Sequence, residues 1–164
     1  MILAIDVDYR ANEKAKAAGL LFNDFKDDMP VKIITKIVEG VKPYEPGQFY
    51  KRELPCILAL LEELSELPEC IIVDGYVHLN DNKKGLGAYL FEALGQKVKV
   101  IGVAKNAYNK IADNTRVFRG KSKKPLFVTS IGIDQNKAKE YIQEMAGKFR
   151  NPSLLKEADR ICRA

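Results

Sequence analysis

The apolar run Cys70-Ile71-Ile72-Val73 stops at Asp74 and turns at once through Gly75. A run of that kind, closed by a carboxylate and a glycine, reads as a buried strand that delivers Asp74 to the edge of a sheet. Other core stretches end alike: Ile2 to Ile5 leads to Asp6, Val98 to Ala104 leads to Lys105, and a helix opens close to Glu53. Four charged groups are therefore expected to converge. Three carboxylates and one ammonium at the ends of core elements suit metal-assisted phosphodiester chemistry, in which carboxylate oxygens hold divalent cations and a lysine offsets phosphate charge.

With 164 residues the chain is expected to form a single domain over 1–164 with one hydrophobic core. Hydrophobic residues make up 46% and charged residues 30% of it, the profile of a soluble protein. No apolar run approaches the roughly 18 residues that a membrane span requires, so no membrane partner is expected. Met1 leads straight into strand-like sequence without a basic and then apolar leader, which makes a cytoplasmic address the expectation. Cys56, Cys70 and Cys162 are odd in number and lack a CxxC spacing, so they read as reduced thiols rather than a disulfide framework or zinc knuckle. A net charge of +5 suits a polyanionic partner.

Along the chain, residues 2 to 9 read as a first strand in which Asp6 and Asp8 share a face. Asp8 reads as a surface acid. A turn at 10–13 leads to a second strand, Lys16 to Phe22, and Val31 to Val38 reads as a β-branched third strand, giving an antiparallel meander. The loop Gly40 to Gly47 carries Tyr44 between Pro43 and Pro46. From Phe49 apolar residues recur at helical spacing, with Pro55 near the helix start and Pro68 as its stop. The strand ending at Asp74, a polar loop over 80–84, a helix from Leu86 to Leu94 and the strand Val98 to Ala104 imply a parallel βαβ half. The stretch 106–124 is basic and ambiguous. A strand from Leu126 to Ile131, an amphipathic helix from Gln135 to Phe149 and a short helix from Pro152 to Arg163 complete the reading. The pair Gly85-Leu86-Gly87 lacks the third glycine and ribose acid of a dinucleotide loop.

Meander, helix, strand, helix and strand, with acids on the first and fourth strands, is the layout of ribonuclease H-like nucleases, an α/β class with a mixed sheet and helices on both faces. Within that class the chain resembles the endonuclease V family, repair nucleases that act at deoxyinosine in DNA or inosine in RNA. Ile5-Asp6-Val7-Asp8-Tyr9 resembles that family's first strand, and Pro43-Tyr44-Glu45-Pro46-Gly47 with Arg52-Glu53-Leu54-Pro55 is similar to its wedge loop and the glutamate that follows. Asp74-Gly75 with His78, Ile101 to Lys105, Val128 to Gly132, and Arg150-Asn151-Pro152 through Ala158-Asp159-Arg160 match in the same order. The chain departs from the family at Leu79-Asn80, where a proline-arginine pair is usual, at Ile133, where a histidine is usual, and in the short segment between Lys105 and Leu126.

The resemblance implies that Asp6, Glu53 and Asp74 coordinate Mg²⁺ or Mn²⁺, that Lys105 neutralises charge at the scissile phosphate, and that His78 touches a water or phosphate. It implies a wedge at Tyr44 and a pocket in which Gly47, Gly75 and Ala104 let the backbone approach a flipped base, with Phe49 and Tyr108 narrowing it. The implied function is metal-dependent cleavage near a deaminated purine by a monomer acting on DNA or RNA. Two other readings stay open from sequence: an inosine-binding module of the same fold with weakened turnover, and an α/β enzyme acting on a small phosphorylated ligand. Lys83-Lys84 and the cluster Lys121 to Lys124 are expected to follow a phosphate backbone or to form solvated faces.

Overall fold

The computed structural model describes residues 1–79, 83–108 and 112–164. Asn80, one of the departures noted above, and residues 109–111 of the basic stretch lie outside the described residues. Strand β1 (Ile2–Arg10) pairs antiparallel with β2 (Lys14–Phe22), and β2 with β3 (Lys32–Val38). Helix α1 (Phe49–Leu61) then crosses to β4 (Cys70–Asp74), which lies parallel to β1. Helix α2 (Leu86–Ala93) leads to β5 (Lys99–Ala104), parallel to β4. A 3-10 turn (Asp113–Thr115) precedes the short β6 (Arg116–Val117) and β7 (Leu126–Ile131). Helices α3 (Gln135–Glu144) and α4 (Ser153–Arg163) follow. The strands form one mixed sheet in the order β3-β2-β1-β4-β5-β7-β6. The meander and the parallel half are thus as the sequence predicts.

Both faces of the sheet are covered, which explains why β4 is apolar at every position before Asp74. Cys70 and Ile72 face α3 and α4 together with Ile2, Ala4 and Ile101. Ile71 and Val73 face α1 and α2 together with Leu3, Ile5 and Val100. On α4 the buried residues are Leu154, Ala158 and Cys162, spaced by four, so one stripe of the helix lies on β1 and β2.

Several boundaries differ from expectation for physical reasons. Helix α3 ends at Glu144 rather than Phe149, because Met145 leaves the helical region with ψ 145 and the carbonyls that follow are taken up by a distant arginine. Helix α1 ends at Leu61, well before Pro68, and Pro55 lies inside it on the exposed side. Residues 116–117 of the ambiguous basic stretch form an edge strand on β7. Asp134, which follows the departure at Ile133, caps α3 by accepting a hydrogen bond from the Lys137 amide at 3.1 Å. Gly85 and Gly87 serve packing: their amides donate to the carbonyls of Val77 (2.8 Å) and Tyr76 (3.1 Å), which seats the start of α2 on the turn after β4.

That turn rests on β5 without room for a side chain. A Cβ on Gly102 would lie 2.4 Å from the Gly75 carbonyl oxygen and 2.9 Å from Thr129 Oγ1, the atom that accepts a hydrogen bond from the Val77 amide at 2.8 Å. Gly102→Ala is expected to cost about 1–3 kcal/mol, the usual penalty of overpacking a rigid contact. Urea unfolding checks this, and an unchanged midpoint would show that the turn gives way freely.

Candidate active site

The parallel pairing of β1 with β4 aligns Ile5 with Val73, so the next residues, Asp6 within β1 and Asp74 at the end of β4, stand side by side. Strand β5 ends one residue before Lys105, and α4 crosses the same end of the sheet. Asp6, Asp74, Lys105 and Asn151 line one depression there, floored by Val73, Val103 and Ala158. Three of the four predicted charged groups therefore share one hollow. Glu53 approaches from α1. It is only 4% exposed, and its Oε2 accepts the hydroxyl hydrogen of Tyr9, whose ring lies 3.6 Å beneath the Arg52 guanidinium.

A further carboxylate enters from α4. Among the described residues, ligand atoms of Asp6, Asp159 and Cys162 lie within 4.8 Å of one another. Asp159 belongs to a motif matched in the sequence, but no role was read into it there. The signal that could have found it is the stripe Leu154, Ala158, Cys162, which places Asp159 at the margin of the buried face. Asp8 instead pairs with Arg10 at 3.6 Å on the outer part of the strand, in keeping with a surface acid.

Burial raises Asp6, Glu53 and Asp74, and neighbouring carboxylates add to it. Burial and then the Asp74 charge push the Asp6 carboxyl up to about 7, although the Val7 amide, at 2.9 Å, favours its charged form. Burial pushes Glu53 up to about 8, Asp6 and Asp74 add to the effect, and Tyr9 and Arg52 oppose it. Asp74 meets solvent at the rim, yet enclosure by the hollow raises it too, and Lys105 is the main opposing charge. For Asp159 burial works upward, but Arg163, with Nε 2.8 Å from Oδ1, and Lys105 hold the carboxyl below its ordinary value. The Cys162 thiol is pushed up to about 12, first by burial and then by Asp6 and Asp159.

A second hollow lies on the other side of the Asp74-Gly75 turn. Tyr44, Gly47, Phe49, Gly75 and Tyr108 line it, with Tyr76 behind them, and its volume is about 260 Å³. Gly75 adopts φ 140, a conformation that favours glycine. Five of the six residues predicted for a base pocket thus meet. The sixth, Ala104, is 6% exposed and packs with Tyr76 and Phe127 underneath. His78 lines neither hollow; it is half-buried and its backbone bridges to Lys84. Of the predicted phosphate-following lysines, Lys84 is paired with Glu92.

The endonuclease V family profile matches residues 1–122. The chain belongs to the endonuclease V family. Endonuclease V from Nocardia farcinica is 32% identical over 142 residues, covering 74% of this chain and 62% of that protein. Endonuclease V from Streptomyces avermitilis is 28% identical over 183 residues, covering 99% of this chain and 79% of its own length. The crystal structure of the Streptomyces avermitilis endonuclease V superposes with a TM-score of 0.79 over 99% of this chain and 79% of that one. An endonuclease V from Ciona intestinalis, in complex with a 24mer DNA containing an inosine followed by a ribo-adenosine, shares the fold. Its TM-score is 0.82 at 19% identity, covering 99% of this chain and 84% of that one.

The raised carboxyls have a consequence for stability. Asp6 and Glu53 move from 3.8 and 4.5 to about 7 and about 8, so the folded chain binds more protons than the unfolded one between those limits. Stability must therefore fall as pH rises through that window. The melting temperature in chelator is expected to be higher at pH 6 than at pH 8, and Asp6→Asn to flatten the difference. Thermal unfolding at the two pH values checks both, and a higher melting temperature at pH 8 would contradict the shifts.

Proposed function

We propose that this chain is a metal-dependent endonuclease that hydrolyses a phosphodiester near a deaminated purine, in DNA containing deoxyinosine or RNA containing inosine, as a repair activity. One observation carries the reading: the acid-lined hollow and the aromatic hollow are separated by a single turn, with Asp74 in the first and Gly75 in the second. A strand whose scissile phosphate lies at Asp74 then has a base within reach of the neighbouring pocket. At about 260 Å³ the pocket is just below the roughly 300–1,000 Å³ range of small-molecule sites, a size suited to one base. The presence of bound inosine-containing DNA in the Ciona intestinalis structure supports the choice of substrate.

The donor set fits a hard divalent cation. Asp6, Asp74 and Asp159 bring carboxylate oxygens together with Lys105 as an opposing charge, and oxygen donors of this kind suit Mg²⁺ or Mn²⁺. Asp6, Glu53 and Asp74 would hold the ion, and Asp159 would add a carboxylate beside Asp6. A bound ion supplies charge stabilisation at the phosphoryl oxygens and lowers the pKa of an attacking water. Lys105 meets the charge that develops on the phosphate. Tyr9 and Arg52 keep the Glu53 carboxylate oriented in its nearly sealed position. Tyr44, 58% exposed on its proline-flanked loop, fills the gap left in the base stack when the purine leaves it. His78, which lines neither hollow, has no part in this reading.

An end-labelled oligonucleotide with one inosine, incubated with Mg²⁺ or Mn²⁺, is expected to be cut close to that base, whereas the guanosine control stays intact. Asp74→Asn is expected to slow cleavage by at least about 10²-fold, the scale of losing a preorganised electrostatic contact at the reacting centre. Equal rates for the two proteins would remove the metal role. Tight inosine-dependent binding without any cleavage would favour the binding-module alternative. Tyr44→Ala is expected to weaken the preference for inosine over guanosine, read from the ratio of the two cleavage rates. An unchanged ratio would exclude the wedge.

A further inference from the structure

On the outer side of α4 a broad groove runs away from the acids. Asn151 lines both hollow and groove, and Asp159, whose carboxylate meets Asp6, forms part of the groove wall. Next to it stands Phe149, 64% exposed, with Lys148 Nζ 5.7 Å and Lys156 Nζ 5.9 Å from the ring centre. Arg160 and Arg163, which also line the groove, are engaged by Glu157 and Asp159. Lys148 and Lys156 form no ion pair among the described residues, so their charge is available to a partner.

The backbone that carries Phe149 is held from inside. Arg119, only 5% exposed, donates from Nη1 to the carbonyl oxygens of Phe149 at 2.7 Å and Arg150 at 3.2 Å, and from Nη2 to Gly147 at 3.0 Å and to Met145. With a further bond from Nε to the Gln143 carbonyl at 3.5 Å, this buried guanidinium satisfies five carbonyls and makes an irregular segment rigid. A lone exposed phenylalanine is ordinary on a protein surface. One fixed from below, flanked by two free ammonium groups and continuous with a cluster of carboxylates has the composition of a single-strand platform, in which an aromatic ring stacks a base and cations take the adjoining phosphates.

We propose that Phe149, with Lys148 and Lys156, forms a stacking shelf for an unpaired base of the cleaved strand, a short distance from the scissile phosphate. The proposal rests on the nuclease reading of the Asp6 and Asp74 hollow and adds the path of the strand leaving it. Because neither of the two hollows contains Phe149, the shelf contributes affinity and not selection of the modified base.

The sequence contains no tryptophan, so Phe149→Trp introduces a single tryptophan at the shelf, whose emission can be excited apart from that of the tyrosines. In an Asp74→Asn background with Mg²⁺, a single-stranded inosine oligonucleotide is expected to quench this tryptophan and to bind within about twofold of the Phe149 protein. Phe149→Ala is expected to weaken binding by roughly fivefold or more, the lower end of what stacking one base on an aromatic contributes, with an unchanged melting temperature. The Lys148→Gln, Lys156→Gln double variant is expected to flatten the plot of log affinity against log salt by about 1.4, two phosphates at about 0.7 each for a single strand. A bound oligonucleotide that leaves the tryptophan unquenched, or a Phe149→Ala protein that binds as its parent does, would overturn the shelf alone. Failure of the parent itself to bind inosine oligonucleotides would overturn both the shelf and the nuclease reading.

Discussion

The alignment of β1 with β4 is the constraint on which the site depends. Ile2 pairs with Cys70 and Ile5 with Val73, which sets Asp6, still within β1, level with Asp74 at the end of β4. A slip by one residue would turn the whole apolar set of β1 to the opposite face and point Asp6 away from Asp74. That register is held by burial on both faces: Leu3 and Ile5 lie under α1, and Ile2 and Ala4 under α3 and α4. Two like charges are therefore brought together by apolar packing elsewhere. The β4 to β5 pairing repeats the device, since Val103 opposite Asp74 places Lys105 just beyond the same edge.

Much of this was legible because the relevant signals are local. Continuous apolar runs ended by a charge marked β4 and β5, the period of four marked α1, and the strand order followed from short connections in the meander. What escaped depends on distant partners. The end of α3 at Glu144 is set by Arg119, which reaches the chain 24 to 31 residues further on. Strand β6 is two residues long and exists only through its pairing with β7. Of the charged groups, Asp6, Asp74 and Lys105 could be found from the apolar runs they follow. Asp159 sits mid-helix, and only the packing of α4 on β1 turns it toward Asp6.

The aromatic hollow was legible for a different reason. Its predicted residues come from three loops and a helix start, Tyr44 and Gly47 before α1, Phe49 at its first position, Gly75 after β4 and Tyr108 after β5, and no spacing rule joins them. Their grouping was implied by the resemblance alone, and the fold brings five of the six together. Around Glu53 the structure tolerates polar groups that packing alone would not select. The Arg52 Nε is buried without a hydrogen-bond partner, while its guanidinium stacks on Tyr9. A nearly sealed carboxylate with an oriented phenol and an incompletely satisfied cation costs stability, and such costs gather where a fold keeps polar groups for chemistry rather than for cohesion.

The start of α2 has a consequence of another kind. A helix N-terminus ordinarily offers free amides and the positive end of its dipole to an anion. Here the amides of Gly87 and Ala88 are already spent on the carbonyls of Tyr76 and Val77. The electropositive tip is thus turned inward as mortar for the turn after β4. On that flank Lys83 stands exposed to solvent, next to Lys84, which is paired with Glu92.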